Sequence, residues 1–215
     1  MPVNSSQDAL RFEPDPTRIL LVLPTWVGDV VMATPFVRAL FERFPDADIT
    51  LLMNRHLYPL LEGSPWVAHC QFWPPRKKTA AAKQAQRELL QTLRGERFDL
   101  AVMLPNSLRS AWLCFRSGAK RRVGFSRDGR RLLLTDPLKV PNRIRGGYEP
   151  MPLVDYYATL AAALGCPHPG DRLTLFTTPE CDAQVVERLR QAGVAKEQPL
   201  VVLCPGANFG ASKCW

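Results

Sequence analysis

The chain has 215 residues, with 28 Lys and Arg against 20 Asp and Glu for a net charge of +8, and it is 46% hydrophobic and 22% charged. That balance excludes a generally disordered chain, and the length is enough to bury a core without disulfide or metal staples. No apolar run reaches the roughly 18 residues of a membrane-spanning helix. The opening MPVNSSQDALRFEPDP has neither a basic start nor an apolar stretch, so no secretory leader is expected and the expected location is cytoplasmic.

In chain order, RILLVL (18–23) is a short apolar run ended by Pro24, the pattern of a strand buried on both faces. After the turn PTWVGD, Val30, Ala33, Thr34, Val37, Leu40, Phe41 and Phe44 recur at helical spacing, with Pro35 expected to bend the helix near its start. DITLLMN (48–54) reads as a strand, HLYPLLEG as a short helix, and VAHCQFW (67–73) as a third strand. Residues 79–95 read as a helix capped by Thr79 and stopped by Gly95. FDLAVMLP (98–105) is a strand, and NSLRSAWLCFRSG a helix opened by Asn106 or Ser107 and closed by Gly118. RRVGF (121–125) is a strand and RLLLTD (131–136) is read as another; 154–165 and 181–193 are helical, and 199–210 is a strand running into a glycine turn.

Strands alternating with helices predict an α/β fold, a parallel sheet covered on both faces. LVVLCPGANFGASKCW looks like the opening of a second such unit, which gives an expected division into a flexible N-terminal segment (1–17), a Rossmann-like domain (18–175), a connection (176–198) and the start of another domain (199–215).

The six cysteines are scattered without a C-x-x-C pair, and the three histidines lack zinc-ligand spacing, so ordinary reduced thiols are expected. Seven basic residues (Arg116, Lys120, Arg121, Arg122, Arg127, Arg130 and Arg131) face one acid, Asp128, between 116 and 131. This run is either a solvated face or a patch for phosphate-bearing partners, with membrane headgroups and nucleotides ahead of nucleic acid.

In open α/β sheets ligands gather at the carboxyl ends of the strands, which singles out two loops. In PTWVGD, Gly28 permits a tight turn or close approach, and Asp29 is either a helix N-cap or a catalytic carboxylate. In PGANFGASK, Gly206 and Gly210 expose N–H groups and Lys213 adds a cation, a set suited to a diphosphate. Neither loop carries a dinucleotide or P-loop fingerprint.

Taken together, PTWVGDVVMATP, LPNSLRSA and PGANFGASKCW, in that order, resemble the ADP-heptose:lipopolysaccharide heptosyltransferases, most closely the heptosyltransferase II type, from Arg18 onward. The resemblance implies GT-B architecture, in which two Rossmann-like domains face across a cleft. It further implies an ADP-heptose donor, a lipopolysaccharide inner-core acceptor, and work at the cytoplasmic face of the inner membrane. It makes Asp29 the general base, puts Asn208, Phe209, Gly210 and Lys213 on the donor, and Ser107 and Arg109 on the acceptor. The family commonly has glutamate where Asn208 stands. A single carboxylate opposite the leaving group implies inversion, and neither metal nor cofactor is expected. The alternatives are a related GT-B enzyme with another donor or acceptor, or an acceptor-binding piece without turnover of its own.

Overall fold

The computed structural model describes residues 9–195 and 198–203. The chain divides into two compact units, Met1–Thr177 and Thr178–Trp215.

The first unit is built on six strands: β1 (Arg18–Val22), β2 (Asp48–Met53), β3 (His69–Phe72), β4 (Leu100–Met103), β5 (Arg121–Phe125) and β6 (Asp136–Leu138). All pair in parallel, in the order β3-β2-β1-β4-β5-β6. This is the Rossmann order, and its direction reverses between β1 and β4. The helices are α1 (Val27–Arg43), α2 (Ala80–Gly95), α3 (Leu108–Arg116) and, after the small ladder of β7 (Arg143–Ile144) with β8 (Gly147–Tyr148), α4 (Leu153–Ala163).

Alternate side chains of each strand enter opposite cores. Ile19 and Leu21 join α1 and α4, while Leu20 and Val22 join α2 and α3, and all four are fully buried. This is why RILLVL has no polar face. Each such side chain contributes ~1.5–3 kcal/mol of burial, so Leu21→Ala is expected to cost about 2–5 kcal/mol.

Pro35 does not interrupt α1, which runs unbroken over 17 residues. A proline removes the bond to the carbonyl four residues earlier, here that of Val31. Thr34 Oγ1 donates to that carbonyl at 2.8 Å and also accepts from the Thr174 amide at 3.0 Å, so no buried group is orphaned.

Three expectations are corrected. Residues 131–136 are not one strand; Arg130–Leu133 form a 3₁₀ turn and β6 begins only at Asp136. The cause lies one residue upstream, where Gly129 turns in the left-handed region (φ 77°) and Arg130 goes inward, fully buried, leaving Leu132 outside. Residues 9–17, expected to be flexible, lie against the domain: Leu10 donates to Ala163, Phe12 packs edge-on against Phe44, and Asp15 takes a bidentate contact from Arg43. Finally, residues 199–203 form no strand and are exposed, pairing with none of the described strands.

In the second unit, α5 (Pro179–Gln191) is capped by Thr178, whose side chain accepts from the Cys181 amide. Cys70, Cys114, Cys166 and Cys181 are free thiols, and burial pushes Cys114 and Cys166 up to about 12, which suppresses thiolate chemistry. Among the described residues no helix is long and apolar enough to cross a membrane.

Candidate functional site

The loops leaving β1 and β4 diverge at the point where the strand order reverses, and divergence there opens a crevice. A cavity of about 440 Å³ lies in it. Its walls are Pro24–Trp26 and Asp29 after β1, Leu104–Ser107 after β4, Arg127 and Asp128 after β5, and Tyr156 and Tyr157 on α4. Arg76, in the loop after β3, closes one side and is shared with an adjoining hollow of about 430 Å³ that reaches Arg55, His56 and Trp73.

Asp29 is not the N-cap of α1. That position is Trp26, and Asp29 sits in the first helical turn. Among the described residues it forms no hydrogen bond or ion pair that would occupy its oxygens. Partial burial pushes its carboxyl up from the ordinary aspartate value. Its charge is felt across the cavity: the Tyr157 phenol is pushed up, first by burial and then by Asp29. Gly28 has helical backbone and open space where a Cβ would lie, so the tight-turn reading is corrected; what it provides is room beside Asp29.

The β4 loop is held from below by Arg130. Its guanidinium donates to the Phe125 carbonyl at 2.9 Å, to the Pro105 carbonyl, and to Asn106 Oδ1 at 3.1 Å. Asn106 in turn donates through Nδ2 to the Tyr156 hydroxyl at 3.0 Å, which fixes the amide's orientation. Burial pulls Arg130 down to about 10, yet leaves it charged at neutral pH. A Cβ on Gly124 would come within 3.0 Å of Nη2, so glycine there makes room for the guanidinium.

Ser107 lines the cavity but is engaged locally. It caps α3 by accepting from the Ser110 amide at 3.2 Å and donates to Ser110 Oγ at 3.0 Å. Arg109 lies over the Trp73 ring, 4.4 Å from its centroid, on the side of the adjoining hollow. Burial, and then the charge of Arg76, pulls its pKa down, so the two guanidiniums sit within electrostatic reach of one another. Asn208, Phe209, Gly210 and Lys213 lie outside the described residues.

The basic run from 116 to 131 is no single patch. Lys120 and Arg121 belong to the amino end of the sheet, paired with Asp99 and Asp136 at 2.8 and 2.5 Å. Arg122 donates to the Leu133 and Ala119 carbonyls, and Arg130 is interior. Arg127 alone reaches the cavity, stacked on Tyr148 at 4.1 Å. Sequence reasoning did not single out Arg76, Asn106, Tyr156, Tyr157 or Arg130 as site residues. Arg76 was within reach, because it follows a strand just as Asp29 does. The sequence does hold one D-x-D spacing, Asp46 to Asp48, but both carboxylates are exposed where the chain enters the amino end of β2, opposite the cavity.

The sheet order and the helices on both faces make the first unit a doubly wound, Rossmann-like α/β domain. The chain belongs to glycosyltransferase family 9 (heptosyltransferase), whose family profile matches residues 86–215. It is 32% identical over 203 residues to lipooligosaccharide heptosyltransferase 2 of Haemophilus ducreyi and, over the same length, 32% identical to lipopolysaccharide heptosyltransferase 2 of Escherichia coli K12. Each alignment covers 92% of this chain and 56% of the relative, so the chain spans little more than half the length of these curated relatives. The solved E. coli ADP-heptose lps heptosyltransferase II superposes with a TM-score of 0.67 at 29% identity, over 92% of this chain and 57% of that one.

Proposed function

We propose that this chain supplies the acceptor side of an inverting, metal-independent glycosyltransferase that moves heptose from ADP-heptose to the inner core of lipopolysaccharide. The observation that carries the reading is Asp29, a carboxylate at the switch-point cavity with no ion-pair partner among the described residues, its carboxyl raised by partial burial above the ordinary aspartate value. In the reaction, an acceptor hydroxyl gives its proton to Asp29 as its oxygen bonds to the anomeric carbon. The bond from that carbon to the diphosphate oxygen breaks on the opposite face, and ADP departs with the electron pair. The configuration inverts.

Arg109 and Arg76 would bind phosphate or carboxylate on the acceptor through forked hydrogen bonds. Ser107, already the cap of α3, offers a remaining lone pair and holds the loop that carries Asn106. The donor's growing charge falls to Asn208, Phe209, Gly210 and Lys213. The resemblance of these positions to the family's donor loop supports their assignment. The lipid-linked acceptor would be met at the cytoplasmic face of the inner membrane.

The experiment measures heptosyl transfer to an inner-core lipid A acceptor, with ADP-heptose in competition with UDP- and GDP-sugars, using the chain alone and joined to the remaining length of a relative. Transfer by the joined form from ADP-heptose, with an inverted anomeric centre in the product, is the expected result. Preference for another nucleotide sugar, or retention of configuration, would overturn it.

A further inference from the structure

The outer face of α3 is apolar where a solvated helix should be polar. Leu108, Trp112 and Phe115 recur at the spacing of one helical stripe and remain 55%, 51% and 45% exposed. The Trp112 and Phe115 rings touch each other, with centroids 5.9 Å apart, instead of turning inward. The stripe continues onto the 3₁₀ turn. Arg122 lies over the Phe115 ring at 5.5 Å and donates to the Leu133 carbonyl at 2.8 Å, which fixes that turn beside α3. The turn's Leu132 is 93% exposed, the most exposed of the chain's large apolar side chains among the described residues.

Cations rim this surface. Arg116 stacks on Trp112 at 5.8 Å, Arg131 is exposed beside Leu132, and Asp128 is the single acid between Leu108 and Leu134. Apolar tips ringed by arginine match one partner better than any other, a bilayer with anionic headgroups. Aromatic and leucine side chains dip to the acyl boundary while guanidiniums meet phosphate.

We propose that the Leu108–Trp112–Phe115 stripe of α3, with Leu132, is a membrane-docking surface for anionic phospholipid. It is distinct from the cavity at the carboxyl end of the sheet, and it stands on apolar tips rather than on the basic run as a whole. Its purpose rests on the lipid-linked acceptor proposed above, since docking there would hold the cavity at the headgroup level. Vesicle binding itself requires neither donor nor acceptor, so its failure leaves the transfer reading standing, and absent transfer leaves the vesicle result untouched.

The test is cosedimentation with phosphatidylethanolamine–phosphatidylglycerol vesicles, compared with phosphatidylcholine vesicles, together with quenching of tryptophan emission by bromine-labelled acyl chains. The expected result is binding to the anionic vesicles that Trp112→Ser with Phe115→Ser weakens by roughly tenfold or more, with loss of the quenching. Arg116→Gln with Arg131→Gln is expected to weaken it by a similar factor, as does raised salt. Leu132→Ser, at a position too exposed to affect folding, should also weaken binding, which keeps the test valid should the double variant unfold. Equal binding by the wild type and all three variants would overturn the proposal. So would equal affinity for phosphatidylcholine, or lipid-independent self-association that Leu132→Ser abolishes, which would give the surface to a second copy of the chain.

Discussion

The two ends of the sheet are both charged and both hollowed, yet they are built to opposite rules. At the amino end, a cavity of about 350 Å³ is bordered by Asp99, Lys120 and Arg121, and each is already engaged. Asp99 accepts from the Thr17 and Arg18 amides, the Thr17 hydroxyl and Lys120, while Arg121 grips Asp136 and lies over Phe12. At the carboxyl end Arg127 pairs with Asp128 at 3.6 Å, but among the described residues Asp29 has no such partner, and Arg76 and Arg109 feel each other's charge. Saturated charge clamps the fold, and unsaturated charge is what a ligand can use. That difference, rather than cavity size, which is similar at both ends, supports reading the carboxyl end as the ligand site.

The largest expected effect is on catalysis. Asp29→Asn, in a form that carries out transfer, should lower kcat by about 10²–10⁴-fold with unfolding unchanged within about 0.5 kcal/mol. Steady-state kinetics and urea unfolding check the two halves. Next is Arg130. Arg130→Met leaves the Phe125, Pro105 and Asn106 acceptors without their donor and should cost about 2–4 kcal/mol, read from the urea midpoint. Arg109→Ala should weaken binding of a phosphorylated inner-core oligosaccharide by roughly tenfold at low salt, and by less at high salt. Titration calorimetry measures it. Equal loss on Arg121→Ala would break the distinction between the two ends.

The smallest effect is at the amino end. The hydrogen bond from Lys120, with those from Thr17 and Arg18, holds the Asp99 carboxyl below its ordinary value. A folded-state value lowered in this way stabilises above the unfolded pKa, and that stability is lost as pH falls through the folded value. Asp99→Asn should therefore cost about 1 kcal/mol near neutral pH and almost nothing in strong acid, without changing kcat. Thermal unfolding across a pH series checks the sign.

Much of the frame was legible because it is written in local chemistry. RRVGF fell on β5 residue for residue, DITLLMN overran β2 by one position, and Thr79 caps α2 as its hydroxyl predicts. The rule that ligands gather at the carboxyl ends of strands singled out two loops, PTWVGD and PGANFGASK, and the first of them borders the cavity. What escaped depends on distant partners. Arg130 looks like any other member of a basic run until Gly124 and the carbonyls of Phe125 and Pro105 accept it inside. The apolar run after it reads as a strand because no local signal says that Arg130 is buried and Leu132 is not. Pro35 reads as a break because its repair, the Thr34 hydroxyl, is anchored from Thr174, far along the chain.

The most direct measurement is the pH dependence of heptosyl transfer by the chain joined to the remaining length of a relative, with Asp29 and with Asp29→Asn. A base must be deprotonated to act, so wild-type kcat should fall as pH drops through an acid limb lying above the ordinary aspartate value, as the raised Asp29 carboxyl requires. In Asp29→Asn that limb should vanish along with most of the rate. Retention of the same limb and a comparable rate in the Asn variant would contradict the assignment of the proton-accepting role to Asp29.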